Sequence, residues 1–98
     1  MGFKVIWSDP AVADLEDICS YIAQDDAEAA LRVARGIVAH TDLLATFPFI
    51  GPTYPRGSRG ALRLIAFRSY RILYEVDERR ESVKVVHIRH GAREEPLS

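Results

Sequence analysis

Residues 61–90 read ALRLIAFRSYRILYEVDERRESVKVVHIRH. Three runs within them, Ala61–Phe67, Tyr70–Val76 and Val83–Arg89, are rich in β-branched and aromatic residues and short enough to be strands. Only Arg68-Ser69 separates the first two runs, and the polar stretch Asp77–Ser82 separates the last two. Connections this short join neighbouring strands as hairpins, so the segment is expected to form an antiparallel three-stranded meander. The apolar alternation is imperfect. Leu62, Leu64 and Ala66 fall opposite Arg63, Ile65 and Phe67, and Tyr70, Ile72, Tyr74 and Val76 fall opposite Arg71, Leu73 and Glu75. One sheet face should therefore pack on other elements, and the other should keep a mixed Arg, Tyr and aliphatic character.

Immediately upstream, residues 48–60 (PFIGPTYPRGSRG) hold three Pro and three Gly and read as an irregular loop. Phe49, Ile50 and Tyr54 should tie that loop to the body. Before it, two helical patterns follow one another. Ser8-Asp9-Pro10 opens the first, with Ser or Asp available as a cap and Pro tolerated in the first turn. Val12, Leu15, Ile18/Cys19 and Ile22 then recur at spacings of three and four, the mark of one buried stripe on a helix from about Asp9 to Ala23. Gln24-Asp25-Asp26 breaks the pattern, and Asp25 with Glu28 three residues on resembles a capping box. Ala30, Val33/Ala34, Ile37/Val38, Thr41 and Leu44 carry the second helix to about Thr46. The short connection makes the helices antiparallel neighbours, and the many Ala residues, with Gly36, should let them approach closely. The chain opens with another strand, Phe3–Trp7. The expected fold is α+β, with order β-α-α-β-β-β: a helical hairpin packed on a mainly antiparallel four-stranded sheet, residues 1–98 forming one domain.

Composition agrees with a soluble globule: 98 residues, 48% apolar and 28% charged. The longest apolar run, Leu64–Phe67, is far short of the roughly 20 residues that span a bilayer. Residues 1–7 are too short for a signal peptide. Cys19 is the only cysteine, which suits a reducing compartment and makes the cytoplasm the expected location. The net charge of −1 hides a division: residues 1–46 carry −5 and residues 47–98 carry +4. From Phe47 to Tyr74 there are five arginines (Arg56, Arg59, Arg63, Arg68, Arg71) and no acid. Eleven of the 13 basic residues are Arg, whose planar fork suits carboxylate or phosphate. A GC-rich genome would give the same bias.

Several sequence landmarks, in order, resemble the ParE/RelE superfamily of type II toxins, and its ParE branch in particular. They are SDPAVADLEDI (Ser8–Ile18), YIA (Tyr21–Ala23), FPFIG (Phe47–Gly51), LRL (Leu62–Leu64), YRILYEV (Tyr70–Val76) and HIRHGAR (His87–Arg93). The resemblance covers nearly the whole chain. It implies a toxin that arrests growth when its antitoxin is lost, needs no cofactor, and inhibits DNA gyrase without a catalytic site of its own. The implied partner is a ParD-like antitoxin with a ribbon-helix-helix DNA-binding half and a segment that folds on the toxin. The other branch, the RelE-like toxins, implies ribosome-dependent cleavage of messenger RNA. A third alternative is a member that binds its antitoxin but is not toxic.

Metal-free RNA cleavage needs a base, an acid and cations at the phosphate. His90 is the candidate acid or base, and Arg63, Arg71 and Arg93 are the candidate phosphate clamps. Each also has a plainer reading, as a strand anchor or a solvated arginine. The residues after His90 are Gly91-Ala92, so the Tyr usual near this position in RelE-type nucleases is missing. A net charge of −1 also suits a polyanionic ribosome poorly. As a target-binding surface the expected residues are Arg63, Arg71, Tyr74, Arg89, His90 and Arg93. Tyr70 and Tyr74 have core packing as their alternative role. Antitoxin docking is expected on the helical hairpin (Leu15, Ile18, Ile22, Val33, Ile37) and on an exposed sheet edge, with Asp14, Asp17 and Asp25 able to pair with basic antitoxin residues. No metal site is expected: His87 and His90 are three apart on a strand and point to opposite faces. Gly51, Gly57 and Gly60 lack the Lys-Ser/Thr of a phosphate-binding loop. Cys19 lies beside the buried stripe as packing rather than as a nucleophile.

Overall fold

The first strand is short because its last residue is followed at once by a helix cap. In the computed structural model, which describes residues 2–53 and 62–91, β1 spans Lys4–Trp7 and α1 spans Asp9–Ala23. Ser8 lies between them in extended conformation, and its Oγ accepts the Ala11 N–H at 3.1 Å. That bond supplies one of the partners a free helix start lacks. α2 runs Ala27–Asp42 and tightens into a 3-10 turn, Leu43–Ala45, so regular α-helix stops four residues short of the expected Thr46. Its cap is Asp26, not Asp25: Asp26 is extended, and its Oδ1 accepts from both Glu28 and Ala29 N–H.

β2 (Arg63–Phe67), β3 (Tyr70–Asp77) and β4 (Ser82–His90) form the meander. Ala61, the expected first residue of β2, and Tyr54 lie outside the described residues. The sheet order is β1-β4-β3-β2, with β1 parallel to β4 and the other pairings antiparallel. The first strand of the chain thus closes on the last. Two turn residues take left-handed backbone, Arg68 (φ 56°) and Glu81 (φ 51°), as tight hairpin connections require.

Residues paired directly across strands share a face. Val5, Trp7, Ile65, Phe67, Tyr70, Ile72, Val85 and Ile88 line the face under the helices, where Ala11, Val33 and Ile37 meet them. A second cluster of Leu44, Tyr74 and Val83 closes the other end of that face with Phe3 and Val76. The opposite face has no helix over it among the described residues. Among those residues, too, no helix is long and apolar enough to cross a membrane.

Gly36 serves the helix–sheet contact rather than the contact between helices. A Cβ there would run into the Phe67 ring of β2, which also packs against His40 at 5.4 Å between ring centroids. Gly36→Ala should raise helix propensity by about 1 kcal/mol and still lose stability, because overpacking costs about 1–3 kcal/mol. Equilibrium urea unfolding should show a net loss. Adding Phe67→Leu should restore at least half of it; an Ala variant as stable as the parent would disprove the contact.

Candidate functional site

The placement of the candidate residues depends on one irregularity. β3 and β4 pair in register from Tyr70↔His90 to Leu73↔His87, and then Tyr74 pairs with Val85, leaving Val86 as an extra residue in β4. This bulge reverses the alternation. Before it Val83 and Val85 face the helices, and after it Ile88 and His90 do. Arg89 is thereby turned outward and lies directly across from Arg71 on the face opposite the helices. Both arginines are exposed.

The structure does not bring the other predicted clamps to that face. Arg63 pairs with Tyr74 on the helix-facing side. Its Nη1 donates to the Gly51 carbonyl at 2.6 Å and lies 3.4 Å from that of Phe49, while the guanidinium sits 5.0 Å from the Phe49 ring centroid. Arg63 therefore pins the loop after α2. Tyr74, expected as a target-binding residue, is fully buried and its hydroxyl accepts the Gly51 N–H at 2.9 Å. Its place is the core reading. Burial pushes the Tyr74 hydroxyl pKa up, partly offset by the Gly51 bond and the Arg63 charge. Gly51 is buried against Tyr74 and Leu64, leaving no space for a side chain. Arg93 lies outside the described residues.

His90 faces the helices. Its ring stands edge-on to Tyr70, 4.9 Å between centroids, and its Nδ1 is buried without a hydrogen-bond partner. A cleft of about 490 Å³ adjoins it under the end of α1, lined also by Asp17, Ile18, Tyr21 and Gln24. His90 and the Arg71–Arg89 pair are thus on opposite sides of the sheet. The histidine on the arginines' side is His87, which pairs across from Leu73. Its Nδ1 lies 3.0 Å from Asp14 Oδ2. A carboxylate at one ring nitrogen fixes the imidazole and leaves the other nitrogen as the reactive one. No sequence signal could have found this pair, since its members are 73 residues apart.

The helical residues expected to meet an antitoxin are core residues. Val33 and Ile37 are buried, and Leu15, Ile18 and Ile22 pack on the same cluster. A helical stripe read from sequence is the stripe that faces the protein's own sheet. The exposed apolar residues of the hairpin are instead Val12, Tyr21, Leu31 and Val38. Ala27, Leu31, Ala34 and Val38 form a second stripe at spacings of four, three and four, bordering two shallow grooves on the outer surface. Cys19 lines one groove, and burial raises its thiol pKa, which disfavours the nucleophilic thiolate.

Comparison with known proteins agrees with this architecture. The family described as "ParE toxin of type II toxin-antitoxin system, parDE" matches residues 5–95. A curated relative, Toxin RelE2 of Caulobacter vibrioides, is 37% identical over 91 residues, covering 92% of this chain and 97% of the relative. Among solved structures, the chromosomal ParDE system of P. aeruginosa superposes with TM-score 0.74 at 21% identity, covering 90% of this chain and 95% of that one. The RelBE2 toxin–antitoxin complex of Mycobacterium tuberculosis gives 0.70 at 20% identity, with 92% of each chain covered. At these identities the structures attest the fold.

The Tyr74–Gly51 bond can be tested alone. Tyr74→Phe keeps the ring and removes the acceptor, leaving a buried N–H unpaired at a cost of about 1–3 kcal/mol. Calorimetry should show a lower Tm. Exchange of the Gly51 amide should accelerate more than that of Ile72, and equal acceleration would mean the hydroxyl does not hold the loop.

Proposed function

The chain belongs to the ParE toxin family of type II toxin–antitoxin systems, and from that premise we propose that it arrests growth by binding DNA gyrase, with no catalytic site of its own, until a ParD-like antitoxin masks it. The observation that carries this reading is the Arg71–Arg89 pair on a sheet face left open by the helices, with His90 on the other side of the sheet and so apart from both arginines. Two adjacent guanidiniums on a rigid sheet suit carboxylates of a protein partner. The near-neutral total charge removes the long-range pull toward a polyanion that a ribosome-directed enzyme would use. The place of action is the cytoplasm, where gyrase and antitoxin both are.

A specific observation favours a second reading. His87, oriented by Asp14, shares the open face with Arg71 and Arg89, a base beside two cations, and the Caulobacter relative bears the RelE name. In that reading the chain cuts messenger RNA on the ribosome, with His87 rather than His90 taking the 2′-hydroxyl proton. Pulse-labelling after induction without antitoxin separates the two. Gyrase inhibition predicts that DNA synthesis falls first with translation intact, and that Arg71→Ala with Arg89→Ala abolishes arrest. RNA cleavage predicts that translation falls first and that His87→Ala alone costs on the order of 10²-fold or more. If neither synthesis falls, the third alternative stands, a member that binds its antitoxin without being toxic.

For the antitoxin, the docking surface we propose is the outer stripe of α2, Leu31 and Val38 with the alanines between. An amphipathic antitoxin helix would cover it. Leu31→Asp with Val38→Asp should weaken antitoxin binding by at least about tenfold, a modest loss for two central apolar contacts, without changing the unfolding midpoint by more than a few degrees. Unchanged affinity in isothermal titration would remove α2 from the interface.

A further inference from the structure

β1 has four residues and β4 has nine, so among the described residues the second half of β4 has no strand beside it on the β1 side. β1 stops at Trp7, across from Val85. Beyond that point the edge of β4 is met by α1. Ser8 N–H donates to the Val85 carbonyl at 3.0 Å and Ser8 Oγ donates to the Val86 carbonyl at 2.9 Å. Asp14, further along the helix, accepts the Ile88 N–H on Oδ2 at 3.0 Å, and the same oxygen takes His87 Nδ1. The cap residue Ser8 and the α1 side chain Asp14 thus continue the ladder that β1 breaks off.

We infer that Asp14 is a positioning residue for the functional end of β4: by holding the Ile88 amide and the His87 ring on one oxygen, it fixes the strand that presents Arg89. The Ile88 N–H lies in the peptide that joins His87 to Ile88, one peptide before Arg89, so Asp14 holds the backbone immediately ahead of Arg89. An exposed strand edge with an unpaired N–H would be free to fray or to pair with another chain, and the Val86 bulge just before it has already interrupted the ladder with β3. The carboxylate closes that edge with a charge, which also discourages strand addition there. The inference rests on the reading that the Arg71–Arg89 face carries toxicity, but not on which target it meets.

Asn at position 14 can reproduce both contacts, its carbonyl oxygen taking the place of Oδ2 and accepting from the Ile88 N–H and from a His87 Nδ1–H, whereas Ala can reproduce neither. Asp14→Ala should therefore speed exchange of the Ile88 amide by on the order of tenfold or more while leaving the Val85 amide unchanged. Expressed without antitoxin, it should lose growth arrest, and Asp14→Asn should keep it. Trp7 fluorescence and cooperative unfolding report whether the fold survives. Asp14→Glu, which keeps the charge but displaces the oxygen, should give the same loss if only placement matters. Growth arrest by Asp14→Ala at the parent's expression level, or loss of arrest in the Asn variant with Ile88 still protected, would overturn the inference. Failure of the gyrase reading looks different: the unsubstituted chain would leave supercoiling by purified gyrase intact, whatever position 14 does to growth.

Discussion

The fold depends on how the unpaired half of β4 is satisfied. A backbone N–H or carbonyl withdrawn from water must find a partner, and β1 ends too early to provide one. The chain solves this at Ser8, the residue that ends the strand, caps α1 and donates to β4 at once. Those bonds leave α1 one direction, along the β4 edge, and Asp14 meets Ile88 further along it. With α1 placed, Ala11, Leu15, Ile18 and Ile22 fall onto the sheet. α2 follows antiparallel, close enough to β2 that only Gly36 fits beneath the Phe67 ring. The contacts joining the first 14 residues to the last strand span more than 70 positions, so loop-closure entropy makes this edge one of the costlier parts of the structure to assemble.

Much of this was legible in the sequence. Helical periodicity gave α1 its limits and placed Val33 and Ile37 on a buried face. Short polar turns gave the meander, and the order of elements gave the two-layer architecture. What sequence could not supply were relations between distant residues. Parallel pairing of β1 with β4 leaves no local mark. The cap moved from Asp25 to Asp26 because both carboxylates are chemically suited and only backbone conformation separates them. Apolar periodicity identifies the stripe a helix turns to its own sheet, and Leu15, Ile18 and Ile22 lie on that stripe. The outer stripe, of Ala27, Leu31, Ala34 and Val38, is weaker in hydrophobicity and is overshadowed by the first.

The candidate site shows the same division. Arg63 and Arg71 were expected together on a target-binding surface, but the two fall on opposite faces of the sheet. Arg63 turned under the helices and became a loop anchor through the Gly51 carbonyl. Arg71 turned outward. Tyr74 took the core because its hydroxyl had a buried N–H to accept, which lets a large aromatic ring be buried without an unpaired polar atom.

The Val86 bulge decides what the open face can do. Had β4 alternated without it, the phase set by Val83 and Val85 would have continued to His87 and Arg89. Arg89 would then lie under α1, where a guanidinium without a partner is prohibitively expensive, and His90 would lie outside beside Arg71. The extra residue exchanges the two. It puts the charged side chain in water across from Arg71 and puts the imidazole, which can be neutral, against Tyr70. The exchange also leaves β4 locally irregular where its β1-side partner has already ended. The outward arginine and the irregular stretch of backbone therefore lie together in the strand, and the bonds from Ser8 and Asp14 are where the start of α1 holds it.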